Sequence, residues 1–428
     1  MQEFEEIEYK KVFLVGVDTG EDENFEQSMK ELGDLAEACY MVPVGCITQT
    51  LPAVNKALCL GTGKVIEVKE AAEEAGAETV IFDNSLSPIQ MRNLQKELDM
   101  PVMDRTGLIL DIFSYRAKTK EAKLQVETAK LKYMLPRLVG MHEALSRQGG
   151  ASGSMSNKGA GEKKLELDRR RIEHRLTFLR KELEEVSKER QTQRKKRENS
   201  RIKKVALVGY TNAGKSTIMN GMVNLFIGED NKKVLEKDML FATLETTVRR
   251  IESKDHKDFF LSDTVGFIHK LPHDLVKAFR ATLEEAATAD LLLHVVDFSD
   301  DNYKQHMQVT RDTLIKLEAG GIPTICVYNK ADLCPDKITT EKSDSIYMSA
   351  RNEEDIVRLA DKIKKVLYGD YITCEFLFPF DKGRLVSALI QNSEILEQNY
   401  VETGVHLVAN CHRNEASKYK EYMIVQEV

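Results

Sequence analysis

Long apolar runs are missing from this chain. No stretch of its 428 residues approaches the roughly 20 apolar residues that a membrane-spanning helix requires, so no membrane span is expected. The opening residues, MQEFEEIEYKKVF, lack the apolar centre of a secretory signal, and a cytoplasmic location is the expectation. Cysteine is sparse and scattered. The seven cysteines, at 39, 46, 59, 326, 334, 374 and 411, are odd in number and form no CxxC pair, which argues against a zinc site and against a disulfide framework. No internal repeat is evident. What remains is an ordinary composition, 42% hydrophobic and 31% charged, in a chain long enough for about two to four domains.

Charge is unevenly placed. Residues 116–200 hold 23 Lys and Arg against 12 Asp and Glu, a local +11 in a chain of net −7. Such an asymmetry fits a polyanion partner, and it also fits a solvated helical face. The surrounding pattern gives the organisation. Residues 1–105 alternate short apolar runs (KVFLVGV, CYMVPV, ETVIFD, MPVMD) with helical segments, the pattern of a small α/β domain with a parallel sheet. LGTGK at 60–64 lacks a complete phosphate-binding pattern and reads as a helix-start turn. Residues 106–200 read as a basic helical hairpin. A first helix runs over 106–138 and ends at Pro136, and a second runs from about Glu162 to Glu198. Between them the Gly- and Ser-rich segment 146–164 carries Arg147, Lys158, Lys163 and Lys164, suited to RNA phosphates as well as to a plain linker. It has no aromatic residue for base stacking. A nucleotide domain is expected over 201–370 and a small α+β domain over 371–428.

GYTNAGKST at 209–217 completes GxxxxGK[ST] between the strand KKVALVG and the helix STIMNGMVN. Gly209 and Gly214 let the loop curl, so that N–H groups of Asn212, Ala213, Gly214, Ser216 and Thr217 can face phosphate oxygens at a helix N-terminus. Lys215 is placed for the β- and γ-phosphates and Ser216 for Mg²⁺. DTVGF at 263–267 supplies Asp263 as a second Mg²⁺ residue and the Gly266 N–H as a sensor of the γ-phosphate. LFATLETTVRR offers a threonine for Mg²⁺ and γ-phosphate: Thr243 is preferred, with Thr246 and Thr247 as alternatives. NKAD at 329–332 selects the base. The Asp332 carboxylate can accept from guanine N1–H and the 2-amino group, which adenine cannot offer. Asn329 should bridge phosphate loop and base, and Lys330 should lie over the ring. Ser349 and Ala350 of MSAR should bring an N–H to guanine O6. GTP is thus the expected substrate, Mg²⁺ the cofactor, and Lys215, Thr243 and Gly266 the groups nearest the chemistry.

Phe267 stands where many such enzymes carry a water-orienting Gln, and it can neither bind a water nor take its proton. A partner, or an internal group such as His269 or Arg280, must then assist.

Taken together, VALVGYTNAGKST, LFATL, DTVGFI, FRATLEEA, ADLLLHVVD and NKADL resemble the HflX-type GTPases of the Obg–HflX group. VIFDNSLSPIQMRNL, DRTGLILDIF, KLQVETAKLKYMLPRL, LSRQGG and DRRRIEHR extend the resemblance over about residues 10–370. It implies a translation-associated GTPase that binds the large ribosomal subunit and splits stalled or idle ribosomes. Its hairpin would reach the RNA near the peptidyl-transferase region, and some members protect against antibiotics bound there. A monomer is expected. The usual GPGETQLE-like tip is GAGEKKLE here (159–166), more basic, which allows a resistance-type branch. The apolar residue at 267 is usual for the family. Competing readings are a large-subunit assembly GTPase, an RNA-unwinding ATPase working from residues 10–104, and a non-enzymatic nucleotide-gated module.

Overall fold

β1 (Lys10–Asp18) is apolar on both faces, so it belongs in the middle of a covered sheet. In the computed structural model, which describes residues 9–22, 24–148, 156–198, 202–227, 240–241, 246–253, 257–270 and 285–426, that is where it lies. It is joined by α1 (Phe25–Ala38), β2 (Met41–Thr50), α2 (Thr62–Glu74), β3 (Thr79–Phe82), α3 (Pro88–Leu98) and β4 (Val102–Asp104). The all-parallel order is β2-β1-β3-β4. The period of two along β1 sends Val12 and Leu14 toward α1, and Phe13, Val15 and Val17 toward α2 and α3. Gly61 caps α2, so LGTGK is a helix start as read.

Three departures concern the helices that follow. The single helix expected over 106–138 is two, α4 (Arg105–Arg116) and α5 (Lys120–Gln148). Asp104 caps the first through the Gly107 N–H at 2.9 Å, and Thr119 caps the second through the Ala122 N–H at 3.2 Å. Pro136 does not end the helix but sits inside it. An internal proline costs about 3 kcal/mol, and α5 offsets this by packing on α3, α4 and α6 (Ser156–Glu198). The helix α6 also begins earlier than expected, taking Lys158, Lys163 and Lys164 into its first turns. Residues 149–155 at the tip lie outside the described residues.

The second sheet has the order β10-β9-β8-β5-β7-β6. Its strands are β5 (Lys203–Gly209), β6 (Thr247–Ile251), β7 (Phe259–Asp263), β8 (Leu291–Asp297), β9 (Thr324–Asn329) and β10 (Ser345–Tyr347). Only β6 runs antiparallel to its neighbour. Helices α7 (Lys215–Phe226), α8 (Tyr303–Lys316) and α9 (Glu353–Tyr368) complete the unit. The C-terminal residues form an antiparallel sheet, β12-β13-β11-β14, from β11 (Tyr371–Phe378), β12 (Glu394–Val401), β13 (Gly404–His412) and β14 (Met423–Gln426). A helix, α10 (Gly383–Asn392), accompanies it. The edge strands β12 and β14 escape a reading by pattern, because β12 is largely exposed and alternates no apolar face. Among the described residues no helix is long and apolar enough to cross a membrane.

Candidate functional site

The buried strand β5 delivers the phosphate loop to the N-terminus of α7, where backbone N–H groups are open to an anion. Gly214 has φ +93°, and a Cβ there would stand 2.1 Å from the Asn329 amide nitrogen, so only glycine fits. Lys215 is buried and donates to the carbonyls of Gly209 (3.1 Å) and Tyr210 (2.7 Å), which aims its ammonium across the loop. Burial pushes its pKa down to about 8, against the pull of Asp263. A phosphate at the loop supplies the negative charge this ammonium lacks. Ser216 donates to Asp263 at 2.7 Å. Among the described residues no group of three or more His, Cys, Asp or Glu side chains could hold a metal alone. A hydroxyl and a carboxylate side by side are nonetheless hard oxygen donors of the kind that hold Mg²⁺ together with phosphate oxygens and water. Thr243, the preferred switch threonine, lies outside the described residues, as does Arg280. Thr247 is built into β6 opposite Asp263, with Thr246 just before it.

The segment after Asp263 folds back on the phosphate loop. The Phe267 N–H donates to the Gly209 carbonyl (3.1 Å), and the Thr211 N–H donates to the Phe267 carbonyl (2.8 Å). A Cβ on Gly266 would stand 2.8 Å from the Thr211 Cα and 3.0 Å from the Lys215 Nζ, so the glycine admits this approach. The Phe267 ring is buried among Ala206, Val208, Ala286 and Leu292, away from Lys215. The residue is therefore part of the core.

At the base end, Asn329 joins two loops: it donates to the Ala213 carbonyl (2.8 Å) and accepts the Ala350 N–H (2.8 Å). The Asn329 side chain thus links the phosphate loop to Ala350, whose N–H was expected at guanine O6. The Ser349 N–H donates to Asp355 at 2.9 Å. Lys330 reaches Asp297 at 2.6 Å, and Asp332 is exposed. Asp297 was not singled out from the sequence; its signal was the acid ending the apolar run LLLHVVD, as Asp263 ends FFLSD.

Helices and loops around the first sheet complete the surroundings, and these contacts the sequence did not reveal. Arg105, fully buried at the start of α4, pairs with Asp83 (2.7 Å) and with Glu31. Lys270 reaches Asp83 (2.6 Å) and Asp22 (2.8 Å). Burial works against the charge on Asp83, but Arg105 and Lys270 outweigh it and hold its pKa below the usual carboxylate value. Tyr210 of the phosphate loop donates its hydroxyl to Glu31, and Phe241 packs edge-on against Phe113 of α4 at 4.7 Å. His269, considered as a catalytic helper, has its N–H on Tyr210 (2.7 Å) and its carbonyl on Arg105 (3.3 Å). The only signal was Glu31 on the buried side of α1 and an Arg directly after a strand.

A glycine-bound phosphate loop, a hydroxyl–carboxylate pair and NKAD at the end of a central parallel strand define a P-loop GTPase. Matches along the chain narrow this. Residues 26–114 match a family described as GTP-binding GTPase N-terminal, 116–197 its Middle Region, and 204–330 a 50S ribosome-binding GTPase. The chain is 44% identical over 417 residues to the GTPase HflX of Alkalihalophilus pseudofirmus, covering 97% of this chain and 96% of that one. It is 38% identical over 401 residues to the GTPase HflX of Escherichia coli, covering 92% of each. It belongs to the HflX family of GTPases, and it hydrolyses GTP to GDP and phosphate. A solved GTP-binding protein from Sulfolobus solfataricus in complex with GDP aligns with a TM-score of 0.42 and 23% identity, over 83% of this chain and 98% of that one.

Proposed function

We propose that this GTPase acts in the cytoplasm on the large ribosomal subunit, binding RNA near the peptidyl-transferase region and dissociating or remodelling stalled or idle ribosomes. The observation that carries the reading is the hairpin. The 43 residues of α6 make a rod about 65 Å long. Residues 116–200 carry a net +11, and Arg169, Arg170 and Arg171 of α6 are exposed. A family description naming the 50S ribosome supports the same partner.

In the site, Lys215 and the N–H groups of 212–217 hold the phosphates, and Asp332 reads guanine. Lys330, tethered to Asp297, covers the ring, and Asn329 keeps the two loops in register. Gly266 senses the γ-phosphate. Ser216, Asp263 and Thr243 would hold Mg²⁺, which would supply positive charge against the phosphates. Phe267 performs no proton chemistry, so positioning by a partner limits the rate.

Large subunits should therefore raise single-turnover GTP hydrolysis at least about tenfold, roughly 1.4 kcal/mol of barrier. Sedimentation of intact ribosomes with protein and GTP should show subunits. Intact ribosomes that stay whole, with binding confined to immature large subunits, would favour the assembly reading. Neutralising Lys158, Lys163 and Lys164 together should flatten the salt dependence of ribosome binding and leave GDP affinity unchanged. Protection against a drug acting near the peptidyl-transferase region, lost in the same variant, would place the chain in a resistance-type branch.

A further inference from the structure

Thr211 is the third residue of the phosphate loop, and none of the roles described above uses its side chain. It is buried, only 6% exposed. Its hydroxyl oxygen is closed off from solvent and has no hydrogen-bond partner among the described residues. Two other hydroxyls of the site are engaged: Ser216 donates to Asp263 at 2.7 Å, and Thr264 donates to the Leu207 carbonyl at 2.6 Å. Buried polar groups in native proteins are paired as a rule, and an orphan points to a partner outside the chain or to a role in chemistry. Valine has nearly the same shape and would avoid the cost of an unpaired hydroxyl. The fold therefore gains nothing from this oxygen.

Its place indicates the partner. The Thr211 N–H donates to the Phe267 carbonyl at 2.8 Å, which sets the residue against the segment after β7. A Cβ on Gly266 would meet both the Cα and the Cγ2 of Thr211 at 2.8 Å, and the Lys215 Nζ at 3.0 Å. Three groups thus converge: the Gly266 backbone read above as the γ-phosphate sensor, the ammonium placed for the β- and γ-phosphates, and the Thr211 side chain. Hydrolysis needs a group here that orients a water, and the Phe267 ring lies in the core. The Lys215 ammonium only donates, whereas a hydroxyl both donates and accepts.

We propose that the Thr211 hydroxyl is the water-orienting group that Phe267 does not supply. It accepts a hydrogen bond from the attacking water and donates its own to a γ-phosphate oxygen. The water oxygen bonds to the γ-phosphorus as the bond to the β–γ bridging oxygen breaks, and that electron pair leaves on GDP. One water proton moves to a phosphate oxygen, the other stays on the attacking oxygen, and Thr211 keeps its own. The proposal rests on Lys215 and Gly266 as γ-phosphate contacts, and not on the ribosome as partner. Its test uses the free full-length protein, so the two readings fail separately.

The test compares wild type, Thr211→Val and Thr211→Ser in single-turnover hydrolysis at saturating GTP without ribosomes. GDP titration and thermal melting are measured on the same samples. Thr211→Val keeps the shape and removes the hydroxyl; Thr211→Ser keeps the hydroxyl. Turnover should fall about tenfold in Thr211→Val, roughly 1.4 kcal/mol of barrier, and Thr211→Ser should recover to within about threefold of wild type. GDP affinity should stay within about threefold in both, since GDP presents no γ-phosphate. Thr211→Val should melt no lower than wild type, because its hydroxyl has no partner in the fold. A merely structural role would move the melting temperature and leave turnover alone. Thr211→Val turnover within about threefold of wild type overturns the proposal, as does Thr211→Ser turnover as low as that of Thr211→Val. A Thr211→Val variant that folds and loses GDP also overturns it, since the role would then lie in nucleotide binding. Should Thr211→Val unfold, Thr211→Ala against Thr211→Ser decides on the same terms.

Discussion

Arg105–Glu31 and Arg175–Glu127 are the same chemical pair in two surroundings. The first lies within the α/β domain, where Glu31 also meets Tyr210 and Arg105 also meets His269, with side chains 2% and 8% exposed; the second joins the two hairpin helices, at 47% and 39%. Water screens the hairpin pair, so it contributes little to stability, and its charges stay available to a partner. The buried pair gains little net stability over an apolar substitute, yet breaking it leaves a charge without solvent. Inside the molecule, then, charge fixes where Tyr210, His269 and Lys270 stand. On the hairpin it leaves the surface polar and basic.

The largest effect should come from breaking the buried pair on one side. Arg105→Ala leaves Glu31 and Asp83 buried without it and should destabilise the fold by about 3–5 kcal/mol in urea unfolding. Arg105→Met in a Glu31→Gln background should recover part of that loss. A loss below 1 kcal/mol for Arg105→Ala would mean that water reaches the knot.

His294 in β8 tests whether other buried charge sites behave alike. Burial, aided by Arg311 and Lys215, pushes its pKa from 6.5 down to about 4. As pH falls, the unfolded chain takes up this proton first. The stability held by His294 is therefore complete above about pH 6.5 and is lost toward pH 4, amounting to about 3 kcal/mol. Urea unfolding at pH 7 and pH 4.5 should show the loss, and His294→Leu should reduce the difference between the two.

Asp332 is a third case, an exposed charge whose partner is the ligand. Asp332→Asn should weaken GTP binding by about 2 kcal/mol or more, with a partial gain for xanthine nucleotide. Unchanged GTP affinity in calorimetry would remove Asp332 as the base reader. The smallest effect belongs to the hairpin: Arg175→Ala should change stability by less than about 1 kcal/mol, and that change should shrink further in 0.5 M salt. A larger loss would mean the two pairs are more alike than their exposure indicates.

Phe267 sharpens the contrast in another way. Read as a missing Gln, it raised a question about catalysis that the sequence alone answered by pointing to a partner or to an internal group such as His269 or Arg280. Its burial among Ala206, Val208 and Leu292 adds a packing role. Phe267→Ala is thus a cavity mutation costing about 3–5 kcal/mol, and Phe267→Leu is the better probe of turnover.

What the sequence by itself determined is whatever is local in the chain. The phosphate loop, NKAD, the parallel βα alternation and the two long helices each lie within a few dozen residues, where spacing and periodicity suffice. The helix through Pro136 was misread because packing on α3, α4 and α6 outweighs a local penalty. β12 was missed because an exposed edge strand needs no apolar pattern. Only the tertiary structure decided that Glu31, Asp83 and Arg105 meet Tyr210, His269 and Lys270. Their contacts cross sequence separations of up to 187 positions, as between Asp83 and Lys270. Each is ordinary in its own segment, a Glu on a helix or an Arg after a strand. The low dielectric that makes their pairing matter exists only once the two domains have closed over them.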